Sequence, residues 1–224
     1  MISMEDILIK FQSVSKTYEG WKTALKNIDL EIRKGEFIFL VGPSGAGKTT
    51  LLKLLWREEE PSSGVIFISG YSSMEKDKKR IAELRQKLGI VFEDLKLMRN
   101  KTLEENLSFP LRILGKKEKF IRAKVAELLS IFSLYPKRKV IPEKLSAGEK
   151  KKFAIARAVI NEPMIILADE PFGGLDEKFS DEVLDFFKDM NLKGTTVLLA
   201  SHRADLVEQF KGKILKLENG EIKR

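Results

Sequence analysis

The chain has 224 residues, 43% of them hydrophobic and 33% charged, with a formal charge of +8: enough for one large domain with a real core and a well-solvated surface. With no cysteine and a single histidine, it excludes disulfides, thiolate metal sites and multi-histidine zinc centres. No apolar run approaches the ~18 residues of a membrane span, the opening M-I-S-M-E-D lacks the basic-then-apolar order of a secretory signal, and the cytoplasm is the expected compartment.

The N-terminal third reads as strands at Ile7–Val14, Ala24–Ile32, Glu36–Val41 and Val65–Ser69, with turn signals at Glu19-Gly20 and Lys34-Gly35. After Val41, G-P-S-G-A-G-K-T at 42–49 fits G-x-x-x-x-G-K-[ST] and opens the helical pattern T-T-L-L-K-L-L-W. A strand before and a helix after are the context in which that pattern binds phosphate. Gly42, Pro43, Ser44, Gly45, Ala46, Gly47, Lys48, Thr49 and Thr50 are therefore the candidate cradle, its N–H groups converging on an anion at a helix N-terminus. Lys48 can reach the β- and γ-phosphates of a nucleotide, and the Thr49 hydroxyl can ligate Mg²⁺.

At 89–94, G-I-V-F-E-D runs from an apolar strand, Ile90–Phe92, into two carboxylates, Glu93 and Asp94. Strand ends of α/β proteins are where ligands sit. The stretch from about 95 to 160 is expected to be mostly helical. Thr102 with Glu105 can form a capping box for a helix that should end near Pro110, and Ile121, Val125, Leu128, Leu129 and Phe132 form a core-facing stripe. In L-S-A-G-E at 145–149, Ser146 and Glu149 make a second capping box, heading an alanine-rich helix.

Two unalternating strands follow, M-I-I-L-A at 164–168 and T-V-L-L-A at 196–200, suited to a parallel sheet buried on both faces. Asp169 and Glu170 close the first; such an Asp supports Mg²⁺, and the adjacent Glu can take a proton from water attacking a γ-phosphate. Asp176 can cap a helix starting at Glu177, and Asn219-Gly220 can close a terminal hairpin. The lysine clusters at 76–80, 116–119, 137–139 and 150–152 read as solvated helix faces, with anionic lipid or an acidic partner as the other reading. No DNA- or RNA-binding motif accompanies them, so no nucleic acid partner is expected.

L-S-A-G-E-K-K-K-F-A-I-A-R-A-V, from Leu145, resembles the signature of ATP-binding cassette (ABC) ATPases, usually L-S-G-G-Q followed by a basic helix. The other motifs fall in that family's order over nearly the whole chain. The resemblance implies an α/β P-loop NTPase of ABC type, with a parallel-sheet core, an N-terminal antiparallel β subdomain and an inserted helical subdomain. All of 1–224 would then be one domain, with core and β subdomain in 1–94 and 161–224 and the helical lobe at about 95–160. It further implies that Ser146, Ala147, Gly148 and Glu149 face ATP held by the other subunit, Ala147 adding only a methyl to the usual glycine. Tyr18, in V-S-K-T-Y, matches the aromatic that stacks on adenine. Asp176, in F-G-G-L-D, matches the aspartate of the loop crossing the dimer seam, and His202 the histidine that senses the γ-phosphate. Glu93 stands where the family places glutamine, which makes it, with Thr49 and Asp169, a candidate Mg²⁺ ligand. Glu170, Lys48 and His202 would be catalytic, in a homodimer closing on two ATP and two Mg²⁺.

R-E-E-E-P-S-S-G, after the P-loop helix, resembles the cell-division branch of the family. That implies an FtsX-like integral membrane protein as partner and control of cell-wall hydrolases. It also implies a peripheral place on the cytoplasmic face of the membrane, reached through the partner and aided by the basic faces. ATPases of lipoprotein-releasing or macrolide exporters have very similar cassettes and are the alternative. A soluble DNA-associated ABC ATPase fits less well with so short a helical insertion, and a small-molecule P-loop kinase leaves Ser146–Glu149, Asp176 and His202 unexplained.

Overall fold

A computed structural model describes residues 6–20, 23–203, 207, 210 and 212–223; residues 1–5, read above for a secretory signal, lie outside them. The chain opens with β1 (Ile7–Thr17), β2 (Thr23–Arg33) and β3 (Phe37–Val41), and the glycine-rich loop leads into α1 (Lys48–Leu55). Next come β4 (Ser63–Ile68), β5 (Tyr71–Ser72), α2 (Lys78–Gln86) and β6 (Leu88–Val91). The helices α3 (Leu103–Ile113), α4 (Glu118–Ile131) and α5 (Ala147–Val159) follow. The chain closes with β7 (Ile165–Asp169), α6 (Glu177–Leu192), β8 (Thr196–Ala200) and the hairpin β9 (Lys213–Glu218) and β10 (Glu221–Lys223).

The strands form two sheets. One is antiparallel, ordered β2-β1-β4-β5; the other is ordered β10-β9-β3-β8-β7-β6, parallel throughout except for β10. Alternation along the parallel strands sorts their side chains onto two cores. Phe39, Ile166, Ala168, Val197 and Leu199 pack with the helical lobe, α5 and α6. Ile38, Leu40, Ile165, Leu167 and Leu198 pack with α1 and the antiparallel sheet. Both faces are thus covered, which is why the central positions of β3, β7 and β8 are apolar.

One local feature departs from the sequence-based expectation. The helix capped by Thr102 and Glu105 passes through Pro110 and runs on to Ile113. An interior proline costs about 3 kcal/mol, but continuing buries Leu111 in the lobe core, which offsets most of it at about 2 kcal/mol. The basic cluster at 76–80 opens α2, a solvated helix as expected: Asp77 caps it by accepting from the Lys79 N–H, and it buries only Leu84. One buried position gives no apolar period to read.

Candidate nucleotide site

The P-loop follows β3, Asp169 ends β7, Ser201 and His202 follow β8, and Glu93 follows β6. These strands are parallel neighbours, so their C-terminal ends share one edge of the sheet, where α/β proteins bind ligands. The loop lies close against its surroundings. Gly42 has φ 156°, and a Cβ there would lie 2.1 Å from the Leu217 carbonyl oxygen; at Gly47, with φ 110°, it would lie 2.5 Å from that of Ala24. No side chain caps α1, so its first N–H groups remain open to an anion. The Lys48 ammonium is buried and donates to the carbonyls of Gly42 (2.7 Å) and Pro43 (3.2 Å), which hold it over the loop.

Thr49, Glu93, Asp94 and Asp169 line a cleft of about 430 Å³, closed on its far side by Trp56 and Phe92. Burial pushes the Asp169 carboxyl up from its ordinary range; the Thr49 hydroxyl, donating to it, opposes this, and the nearby charges of Glu93 and Glu170 add to it. Asp169 Oδ1 and Glu170 Oε2 are buried without a hydrogen-bond partner. Orphaned carboxylate oxygens beside a hydroxyl are a donor set for a hard divalent cation. Among the described residues, no group of three or more His, Cys, Asp or Glu could hold a metal unaided. That suits Mg²⁺, which keeps phosphate and water among its ligands.

Glu170 sits in the left-handed region at φ 46°, a strained conformation of the kind concentrated at functional sites. Its N–H donates to the Ala200 carbonyl (3.0 Å), and its own carbonyl accepts from the Gly173 N–H (3.2 Å) and the Lys151 ammonium (2.9 Å). So held, its Oε1 lies 2.9 Å from His202 Nδ1, with the imidazole 64% exposed and the carboxylate 15%. Tyr18 stands beside α1, its hydroxyl 3.5 Å from the Thr50 hydroxyl and Lys16 over its ring.

Ser146 and Glu149 form the expected capping box at the head of α5. Lys137 pairs with Glu149 and, with the Ser146 N–H, lowers that carboxyl's pKa. Ala147 opens the helix and Gly148 lies against Leu175. Asp176 caps α6 by accepting from the Phe179 N–H at 2.8 Å. Among the described residues, no hydrogen bond or ion pair joins Ser146–Glu149 or Asp176 to the P-loop of the same chain. The structure therefore gathers the P-loop, Glu93, Asp169, Glu170 and His202, and leaves the signature segment apart.

Asp94 lines the same cleft as Glu93. The turn after Phe92, with Leu95 and Lys96 both left-handed, folds it back. Arg157 pins that turn by donating to the carbonyls of Leu95 (2.8 Å) and Lys96. Sequence reading missed Arg157 and Lys151. Lys151 sits in the lysine run at 150–152, read above as a solvated face, while Arg157 stands alone between Ala156 and Ala158; only the helical phase, Lys151 stacking with Ile155 and Val159, signals burial.

On the outer side of the same turn lies an apolar groove of about 460 Å³ between the strands and the lobe. Ile90, Phe92, Met98, Phe109, Ile113 and Ile160 line it, with Phe109 51% and Ile113 65% exposed. No described helix is long and apolar enough to cross a membrane.

The ABC transporter family model matches residues 25–173. The cell division ATP-binding protein FtsE of Streptococcus pneumoniae is 36% identical over 217 residues, covering 97% of this chain and 94% of that protein. FtsE of Escherichia coli K12 is 39% identical over 215 residues, covering 96% and 97%. A solved structure of the ATP-binding cassette MJ0796, a dimer in a post-hydrolysis state bound to ADP and Pi, superposes with a TM-score of 0.89. It is 33% identical, over 96% of this chain and 97% of that one.

Proposed function

This chain belongs to the ABC transporter family, and on that premise we propose that it powers a cell-division complex as a homodimer docked on an FtsX-like integral membrane protein. It is a Mg²⁺-dependent ATPase. The observation that carries the proposal is the separation just described: one sheet edge bears a P-loop and its acids, while the signature segment at Ser146–Glu149 bonds none of them. Two chains facing head to tail would place each signature over the other's P-loop, completing two sites.

In such a site Lys48 and the loop N–H groups bind the β- and γ-phosphates, and Tyr18 stacks on adenine. Thr49 and Asp169, with Glu93 at the cleft wall, would hold Mg²⁺, which when bound offsets phosphate charge and polarises the γ-phosphoryl group. Glu170 accepts the proton of the attacking water, and His202, against Glu170 and largely exposed, contacts the γ-phosphate. The Ser146 hydroxyl and Gly148 approach that phosphate from across the seam, with Ala147 and Glu149 beside them and Asp176 at the seam itself. Glu93 adds a negative charge beside Asp169 and Glu170, so hydrolysis here should depend strongly on Mg²⁺. In Glu93→Gln, the free Mg²⁺ giving half-maximal ATPase rate is expected to rise a few-fold, a modest shift because the exposed carboxylate is screened. Superimposable rate curves would contradict this.

The groove around Phe109 and Ile113 is the proposed seat of the membrane partner, which places the chain at the cytoplasmic face of the membrane as a peripheral subunit. Apolar side chains this exposed, gathered at a cleft between two lobes, fit a short partner helix. The test is a pull-down from source membranes with tagged Glu170→Gln protein and Mg²⁺-ATP, read by mass spectrometry. An FtsX-like protein should be enriched, and Ile113→Asp should lose it without losing ATP binding. Enrichment of a lipoprotein- or drug-exporter permease would keep the ATPase and overturn the cell-division role.

A further inference from the structure

We propose that Lys151 is a positioning residue for hydrolysis: from the signature helix its buried ammonium fixes the turn bearing Glu170 and offsets the carboxylates gathered at the cleft, Glu93 among them. The inference rests on the ATPase reading above and adds to it a residue that reading does not use.

Lys151 is the fifth residue of α5 and is 7% exposed. Its ammonium donates to the Glu170 carbonyl at 2.9 Å; among the described residues, no carboxylate lies within ion-pairing distance of it. Burying an ammonium without a direct counter-ion is costly, and an apolar side chain of similar length would fill the same space at less expense. Burial pushes this ammonium's pKa down, and the charges of Glu93, Glu170 and Asp169, in that order, pull it back. The cation is therefore matched to a cluster of carboxylates rather than to one.

Its bond falls where position matters. The Glu170 backbone is left-handed, and the Lys151 ammonium is the one side-chain donor to its carbonyl among the described residues. That turn sets Glu170 Oε1 against His202. The helix that holds it is capped by Ser146, five residues before Lys151, in the capping box that would meet the second ATP. A rotation of α5 on dimer closure would reach Glu170 through this one side chain.

The test compares wild type, Lys151→Gln, Glu93→Gln and the double variant. Binding of a fluorescent ATP analogue is followed against free Mg²⁺, with kcat for ATP and thermal unfolding measured alongside. Removing the ammonium makes the cleft more negative, so Lys151→Gln should bring the Mg²⁺ midpoint down a few-fold while Glu93→Gln raises it, and the double variant should return near wild type. The kcat lost in Lys151→Gln should be partly recovered in the double variant. A packing defect cannot move the two midpoints in opposite directions. Midpoints that stay put or move together, or losses of kcat that simply multiply, would overturn the proposal. So would unfolding of Lys151→Gln at the assay temperature with and without Glu93→Gln, which would make Lys151 a structural residue. A wild type that neither binds nor hydrolyses ATP would instead take down the ATPase reading itself; a competent wild type matched by Lys151→Gln removes this inference alone.

Discussion

Glu170→Gln is expected to lower ATP turnover by about 10²–10⁴-fold while leaving ATP bound, so that the chain accumulates as a nucleotide-loaded dimer. The amide keeps the size of the side chain and can still meet His202 through its oxygen, so the 2.9 Å contact need not be lost. It cannot accept the proton of the attacking water at neutral pH. It also removes one of the negative charges around Asp169, which lets phosphate and the second chain close more tightly. Phosphate release and light scattering with Mg²⁺-ATP check both halves. A chain that binds ATP yet stays monomeric would contradict the two-chain site for the isolated protein.

Lys48→Ala should act in the opposite sense, losing nucleotide as well as turnover. The ammonium is held by two carbonyls of its own loop and in the proposed site is the cation that meets the triphosphate. Removing a preorganised charge of this kind costs about 10²–10³ in turnover. The loop itself should persist, because Gly42 and Gly47 are fixed by close approach to Leu217 and Ala24 rather than by the lysine. Calorimetric titration with ATP and a melting curve separate the two effects: weak or absent binding with a nearly unchanged Tm is the expected pair.

Most of the frame was legible in the sequence because period and length agree there. The strand at Thr196–Ala200 was read to the residue, and both capping boxes formed as their S/T-x-x-E spacing required. Pro110 misled because propensity acts locally while the burial of Leu111 is tertiary. α2 showed only as a basic face, without bounds, because it buries only Leu84. Within the site, the P-loop, Glu93, Asp169, Glu170 and His202 were named from their motifs and lie at one sheet edge. Those that support them from other elements were not named, since Lys151 meets Glu170 and Arg157 meets Leu95 and Lys96 across 19 and some 60 residues of chain.

Phe92 and Lys96 line both the cleft that holds Asp169 and the groove that holds Phe109. The two hollows share a wall one turn thick, and Arg157 clamps that turn from behind. A guest that shifts this wall acts on both hollows, and the two occupants are then thermodynamically linked: whatever factor a guest in the groove applies to nucleotide affinity, the nucleotide must return to that guest. A partner that senses bound ATP through this wall therefore also sets how tightly ATP is held.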